Sequence, residues 1–219
     1  MDKVQLRAIR NLPKLRTLYI ELMGVESFDL KHMPKIERLK SLTLRGMPTR
    51  VEGFESLSQK TPRSNMMTIQ SDSDWIDRRF PKLPKLESLH LYLERLPSSL
   101  DLAQLKKLSH LSLSGNAFDD DVVMYILAQL SNLKYLNLSR SSVSDRILEA
   151  ISAHQSLLSV DLSHTKISED AFATLRENRY NMKIYPTLKD VEAIREEVRR
   201  RGGIKAKTID EAIKRYPQE

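Results

Sequence analysis

The 219-residue sequence contains no cysteine. A disulfide framework, a thiolate metal site and a cysteine nucleophile are therefore excluded. Glycine is scarce as well, with six residues, and the chain has no glycine-rich phosphate loop, zinc-protease helix signature or nucleophile-elbow serine. We expect a protein that is not an enzyme and that uses no cofactor and no small-molecule substrate.

Long apolar runs are also missing. No stretch approaches the roughly 20 apolar residues that cross a bilayer, and the first residues, MDKVQLRAIRNLPKL, are charged and amphipathic without an apolar signal core. With 40% hydrophobic and 30% charged residues, the composition predicts a globular, soluble chain without a membrane partner.

Positive charge is unevenly distributed along the chain, whose formal net charge is +7. Residues 1–63 hold 13 basic and 7 acidic side chains, residues 64–175 hold 11 and 14, and residues 176–219 hold 12 and 8. A nucleic-acid binder usually concentrates basic residues in a continuous stripe. Because the excess here lies at the two ends, we interpret it as a solvated surface with a basic tail.

What the sequence does contain is a repeat. The segments LKYLNLSRSSVSD and LLSVDLSHTKISE share one frame, in which Leu136 and Leu138 correspond to Val160 and Leu162. Earlier copies follow the same frame, and the last apolar position of each copy falls at Ile20, Leu44, Ile69, Leu91, Leu113, Leu138, Leu162 and Ile184. The steps lie between 22 and 25 residues, the period of a repeat architecture.

The pattern resembles that of the leucine-rich repeat superfamily, L-x-x-L-x-L-x-x-N/C-x-L, over about residues 12–186. The resemblance implies an α/β solenoid of about eight repeats with a concave parallel sheet. Extracellular members usually carry disulfide-bonded caps, so a chain without cysteine is expected to be intracellular, in the cytoplasm, the nucleus or both.

The linkers between the expected strands differ in the two halves. DDDVVMYILAQL, SVSDRILEAISAHQ and KISEDAFATLREN have helical periodicity, with Ser144 and Ser168 at N-cap positions. These units are similar to ribonuclease-inhibitor repeats and to F-box-associated repeats. The earlier linkers contain Pro48, Pro62, Pro81 and Pro84, which predicts irregular convex loops.

The turn after each strand departs from the family pattern. The expected asparagine occurs only at Asn116, and the equivalent positions hold Met23, Met47, Asp72, Glu94, Ser141 and Thr165. Ser and Thr can still bond turn backbone, but Met cannot.

We divide the chain into a repeat domain, residues 1–186, and a C-terminal segment, residues 187–219. The segment reads as two short helices that cap the last repeat, although an independent partner-binding role remains open. Its basic patch is either a solvated helix end or a nuclear-import or phosphate-contacting site: Arg199, Arg200, Arg201, Lys205 and Lys207.

The candidate site is the concave face, because residues that flank a buried L-x-L pair point to the opposite side of a strand. Tyr and Arg are typical interface anchors. At any single position an ordinary solvated strand residue is the simpler interpretation, and the face is a candidate as a set. The candidate partner-binding residues are Tyr19, Arg45, His90, Tyr92, His110, Ser112, Tyr135, Asn137, Asp161 and Lys183.

Two weaker interpretations concern chemistry. His90 and His110 on neighbouring repeats would need a third ligand to hold a metal, and an acid–base pair of His110 with Asp161 is no better supported. We therefore predict no metal and no catalytic residues. Trp75 can anchor a partner, but packing beneath a loop is the simpler interpretation.

Within this scheme the leading hypothesis is a non-enzymatic module that binds a protein or peptide. The F-box-like repeats imply substrate recognition for a cullin-type ubiquitin ligase, by analogy alone. Two alternatives stay open: an assembly scaffold that bridges two proteins, and an RNA- or ribonucleoprotein-associated scaffold that uses the basic ends. Nucleic acid is the less favoured partner.

Overall fold

The computed structural model describes residues 9–46, 50–72, 80–96 and 100–186. The predicted C-terminal cap, its basic patch, the start of the chain and Trp75 lie outside these residues. A short 3-10 helix, Ile9–Asn11, precedes the first strand.

Ten strands and four α-helices follow in the described part of the chain. The strands are β1 (Thr17–Glu21), β2 (Ser27–Asp29), β3 (Ser41–Arg45), β4 (Arg50–Glu52), β5 (Met66–Ser71), β6 (Ser88–Leu93), β7 (His110–Ser114), β8 (Tyr135–Asn137), β9 (Ser159–Asp161) and β10 (Lys183–Tyr185). The helices are α1 (Leu57–Lys60), α2 (Asp120–Leu127), α3 (Leu148–Ala153) and α4 (Glu169–Asn178).

Eight of these strands form one parallel sheet in the order β1-β3-β5-β6-β7-β8-β9-β10. The repeat frame sets the register: Ile20 lies beside Leu44, Leu44 beside Ile69, and Leu91 beside Leu113. These apolar residues are fully buried, because alternate strand residues point to one side and here that side faces the core. The α/β repeat architecture with a parallel sheet is therefore present.

The last strand corrects the sequence frame. Met182 and Ile184 were aligned with the L-x-L pairs, which put Lys183 in the central position of its strand. In the structure Ile184 pairs with Val160, and Tyr185 pairs with Asp161. The frame is thus displaced by two residues, and the central position belongs to Tyr185.

The predicted convex helices of the second half are confirmed. Asp119 accepts a hydrogen bond from the Val122 amide at 3.0 Å and caps α2, and Ser168 accepts from the Ala171 amide and caps α4. Ser144 caps the short 3-10 turn Asp145–Ile147 that leads into α3. A side-chain oxygen at this position satisfies an amide that has no partner within the helix.

The same caps join neighbouring repeats. Asp120 accepts from both the amide (2.8 Å) and the hydroxyl (2.6 Å) of Ser144 in the next repeat. Asp145 does the same for Ser168, at 2.7 and 2.8 Å. Each carboxylate therefore fixes the start of the following helical segment.

The convex side of the first half is more regular than the prolines suggested. β2 and β4 form a second, two-stranded parallel sheet there, and the 3-10 turns Leu30–His32 and Phe54–Ser56 and helix α1 complete the layer. Phe54 and Phe80 are buried and meet edge to face, with ring centroids 5.3 Å apart. Both aromatic side chains belong to the hydrophobic core.

Pro62 and Pro84 have a different role from the one the sequence suggested. Both lie in tight turns that immediately precede strands, where the amide of Ser64 bonds the carbonyl of Thr61 (3.1 Å) and that of Leu86 bonds Leu83 (3.0 Å). Proline fits the second position of such a turn because its fixed φ suits it. These prolines start strands and do not merely interrupt helices.

The residues that replace the expected asparagine after the strands differ in whether they bond the turn. Thr165 donates its hydroxyl hydrogen to the Leu162 carbonyl at 2.6 Å, as a turn-forming side chain does. Ser141 is buried, and within the described residues its hydroxyl has no hydrogen-bond partner. Asn116 donates to the carboxylate of Glu94 at 2.7 Å.

Candidate protein-binding surface

The exposed face of the eight-stranded sheet, called the concave face below, presents its side chains in three rows that follow the strand register. The first row is Thr17, Ser41, Met66, Ser88, His110, Tyr135, Ser159 and Lys183. The central row is Tyr19, Thr43, Thr68, His90, Ser112, Asn137, Asp161 and Tyr185. The third row, on the longer strands, is Glu21, Arg45, Gln70, Tyr92 and Ser114.

Large apolar and aromatic side chains are exposed on this face. They are Tyr19, Met66, Tyr92, Tyr135 and Tyr185, each between 40% and 50% accessible. Such residues supply most of the binding energy in protein interfaces. Met66 and Tyr185 were not among the predicted site residues. The frame that placed Met67 inside also placed Met66 outside. Tyr185 was missed because the misaligned last strand put Lys183 in the central position.

The centre of the face holds a cluster of histidine and tyrosine, defined by His90, Tyr92, His110 and Tyr135. The rings of His110 and Tyr135 stack at a centroid distance of 4.3 Å and an angle of 16°, because the register sets them side by side on β7 and β8. His90 shares a hydrogen bond of 2.9 Å with the hydroxyl of Ser88. Burial lowers the pKa of His90, and the charge of nearby His110 lowers it further.

The ordinary pKa of histidine is about 6.5, and the shift of His90 is downward, so His90 is neutral at pH 7. The cluster therefore offers ring surface, hydroxyls and imidazole nitrogens to a partner. This combination suits an amphipathic protein surface.

Three predicted residues are less available than the sequence suggested. Ser112 is only 5% exposed, so it contributes little surface. Asn137 and Asp161 each accept a hydrogen bond from the amide two residues later, that of Ser139 at 2.8 Å and that of Ser163 at 2.9 Å. These contacts form the turns that end β8 and β9, which gives both side chains a structural role besides any contact with a partner.

At the N-terminal end of the face, Tyr19 and Arg45 lie on adjacent strands. The pKa of Arg45 is raised by its hydrogen bond to Tyr19 and, more weakly, by the carboxylate of Glu21. At the other end Lys183 occupies the first row and is exposed. The face therefore has an arginine and a lysine at its two ends, with the histidine–tyrosine cluster between them.

The metal and acid–base interpretations depend on how close their side chains lie on this face. Within the described residues, no group of three or more His, Asp or Glu side chains is close enough to hold a metal ion. His110 and Asp161 lie on β7 and β9 with β8 between them, which separates their strands by roughly 10 Å. A direct acid–base pair of these two residues is therefore not formed.

Comparisons with known proteins agree with the repeat. A family model described as a leucine-rich repeat matches residues 129–152. The structure is similar to a leucine-rich repeat protein from Leptospira interrogans, with a TM-score of 0.52 and 20% identity over 80% of this chain. It is also similar to a protein from Bacteroides fragilis, with a TM-score of 0.55 and 15% identity over 96% of this chain. No curated protein sequence matches.

The chain therefore contains a leucine-rich repeat at residues 129–152 and has a fold similar to that of a leucine-rich repeat protein. It spans half the length of the Leptospira protein and 72% of the Bacteroides protein. Over the described ranges, every helix is too short or too polar to span a bilayer.

Proposed function

We propose that this chain is a non-enzymatic interaction module whose concave face binds a protein or peptide. The observation that carries the proposal is the set of exposed side chains: five of the ten large hydrophobic residues that are exposed in the described part of the chain lie on this one face. They lie on a sheet whose strands are fixed by the core on the other side, so the surface is rigid before binding. Rigid surfaces lose little conformational entropy on association.

The central cluster is the expected centre of the interface. Tyr92 and Tyr135 are 41% and 42% exposed, and both can lose their remaining accessible surface when a partner binds. Arg45 and Lys183 at the ends provide charged groups for the polar rim. Asn137 and Asp161 continue to accept the amide hydrogen bonds of their turns. The second carboxylate oxygen of Asp161 adds one acceptor for a partner.

The test compares two double variants of equal chemistry. Tyr92→Ser with Tyr135→Ser removes the centre of the concave face, whereas Tyr125→Ser with Tyr180→Ser removes two tyrosines elsewhere that are 49% and 90% exposed. Partners are isolated by affinity purification after nuclease treatment and identified by mass spectrometry, and the affinity of each recovered protein is then measured with purified components. Thermal unfolding of each variant shows whether the fold is kept.

We expect the concave variant to weaken binding by about 30- to 900-fold, since interface tyrosines contribute about 1–2 kcal/mol each. The control variant should bind like the wild type. If both variants bind a partner equally well, or if only the control loses it, the concave face is not the site.

A narrower hypothesis is recognition of substrates for a cullin-type ubiquitin ligase. It rests on the helical repeats after residue 119, whose Ser N-caps and apolar faces are similar to F-box-associated repeats. Adaptor or cullin subunits among the tyrosine-dependent partners would support it. The alternative is an assembly scaffold. It requires two partners that bind separate surfaces, so that loss of the tyrosines affects the binding of one partner and not that of the other.

A further inference from the structure

A second surface runs along the edge of the sheet where the strands begin. In each of the first five repeats a tight turn precedes the strand, closed by a backbone hydrogen bond across three residues: Leu12 to Leu15, Ile36 to Leu39, Thr61 to Ser64, Leu83 to Leu86 and Leu105 to Leu108, all between 3.0 and 3.2 Å. The third position of every one of these turns is basic. We call these residues the turn row: Lys14, Arg38, Arg63, Lys85 and Lys107.

The five cations are neighbours in space because the repeats stack in register. Each lies three residues before the first residue of its strand, and those first residues pair from Thr17 through to His110. The backbone stays aligned before the strands, since the Arg16 carbonyl accepts from Lys40 and Ser41 and the Lys40 carbonyl accepts from Asn65 and Met66. Adjacent strands lie about 4.8 Å apart, so the row is about 19 Å long.

All five side chains of the turn row are exposed. Two acidic residues lie next to it, and Glu37 is held by Lys35 at 2.9 Å. The pKa of Glu37 is lowered mainly by Lys35 and also by Arg63 and Arg38, which places cations from two successive turns around one carboxylate. Glu87 follows Lys85 in the fourth turn segment. The row ends in the sixth repeat, where the same position holds Asn132.

The chemistry of this edge differs from that of the concave face. The five turns read LPKL, IERL, TPRS, LPKL and LKKL, so they contain no aromatic residue that could anchor a protein or stack on an unpaired base. What they offer is one cation for each strand, about every 4.8 Å along the edge of the sheet. A duplex nucleic acid presents phosphates at a comparable density along each strand.

We propose that the turn row binds the sugar–phosphate backbone of a nucleic acid duplex without reading its sequence. The proposal does not depend on the concave face, because the two surfaces share no residue. It overlaps the basic first end in part, because Lys14, Arg38 and Arg63 lie there, whereas Lys85 and Lys107 lie in the middle of the chain. Arg38 and Arg63 can each contact a phosphate with two donors, and the lysines act as point charges.

The test measures how duplex binding depends on salt. A fluorescein-labelled DNA duplex of about 20 base pairs is titrated with the full chain between about 50 and about 200 mM salt, and binding is followed by anisotropy. The row variant is Arg38→Gln with Arg63→Gln and Lys85→Gln. The control is Lys31→Gln with Arg146→Gln and Lys166→Gln, which removes the same charge from exposed sites elsewhere.

Five phosphate contacts predict that the wild type loses about 500-fold in affinity over this salt range. With two contacts left, the row variant should lose about 12-fold, and the control should behave like the wild type. Equal salt dependence in both variants overturns the proposal, because binding then comes from other cations. Unlabelled polyglutamate is the competitor at equal charge concentration. If it displaces the probe as well as unlabelled duplex does, the row fits an acidic protein and the proposal is wrong.

Discussion

Arg179 follows α4, is only 8% exposed, and carries a charge into the protein interior. Its Nη1 donates to the carbonyls of Ile151 (3.2 Å), Ser152 (2.7 Å) and His154 (3.2 Å), and its Nη2 donates to that of Leu157 (3.0 Å). These carbonyls surround the end of α3 in the preceding repeat. The last carbonyls of a helix lack partners within it and form the negative end of its dipole. The guanidinium of Arg179 therefore donates hydrogen bonds to these carbonyls and places a positive charge at the negative end of the dipole.

The magnitude follows from what its removal leaves behind. Arg179→Met keeps much of the apolar stem but removes all four hydrogen bonds. The Ile151 carbonyl also accepts from the His154 amide at 3.2 Å, and water can reach the partly buried carbonyls of Ser152 and His154. The buried Leu157 carbonyl is the main loss. An unsatisfied buried carbonyl costs about 1–3 kcal/mol, and weaker losses at the helix end bring our expectation to about 3 kcal/mol.

Urea and thermal unfolding measure this effect directly. For a chain of this length about 3 kcal/mol corresponds to a melting temperature lower by about 6–12 °C. Arg179→Lys should recover part of the loss, because an ammonium still donates but cannot span four carbonyls. Arg146→Met is the matched control: Arg146 is exposed and pairs with exposed Asp121 at 2.9 Å, so its loss should stay below about 1 kcal/mol. A change below about 0.5 kcal/mol for Arg179→Met would refute the reasoning.

Two further predictions concern single sites. Gly115 has φ +109, and a Cβ there would lie 2.0 Å from the Leu93 carbonyl oxygen, so Gly115→Ala should destabilise the protein by about 3 kcal/mol in urea unfolding. Gly24 has φ +70 but open space around it, so Gly24→Ala should cost only about 1 kcal/mol. Equal costs for the two variants would contradict the close contact at Gly115. For His90 the folded pKa is lowered, so its contribution to stability is present above the unfolded pKa of about 6.5 and is lost as pH falls toward the folded value. The His90→Gln variant should lack that part of the pH dependence, and an NMR titration of His90 with a pKa above 6.5 would show the sign to be wrong.

The strands and the second-half helices could be predicted because their signals are local. The alternation around Leu89 and Leu91 specifies a strand with one buried side, and the Ser168 cap with its following acidic turn specifies where α4 begins. Register then followed from the repeat period, since equivalent leucines must stack to form a continuous core. None of these inferences needed a contact between distant residues.

The last strand shows where local reasoning failed. Met182 and Ile184 imitate an L-x-L pair, and both are buried, so composition does not reveal the displacement. Pairing with β9 sets the alignment of the last strand: Ile184 lies beside Val160, and the Leu162 amide donates to the Tyr185 carbonyl at 2.9 Å. Only the neighbouring strand decides which of the two buried residues takes the first apolar position of the strand.

By itself, then, the sequence determined the repeat, the sheet that it builds and the helix starts of the second half, because each is encoded within about one repeat length of chain. The tertiary structure alone decided which side chains become neighbours across repeats. It gathered His110 and Tyr135 into a stack, set Arg179 against the preceding helix end, and aligned the turn row along one edge. The physical reason is that these groups are 22 to 28 residues apart. They meet only when parallel stacking brings equivalent positions to within about 5 Å of each other.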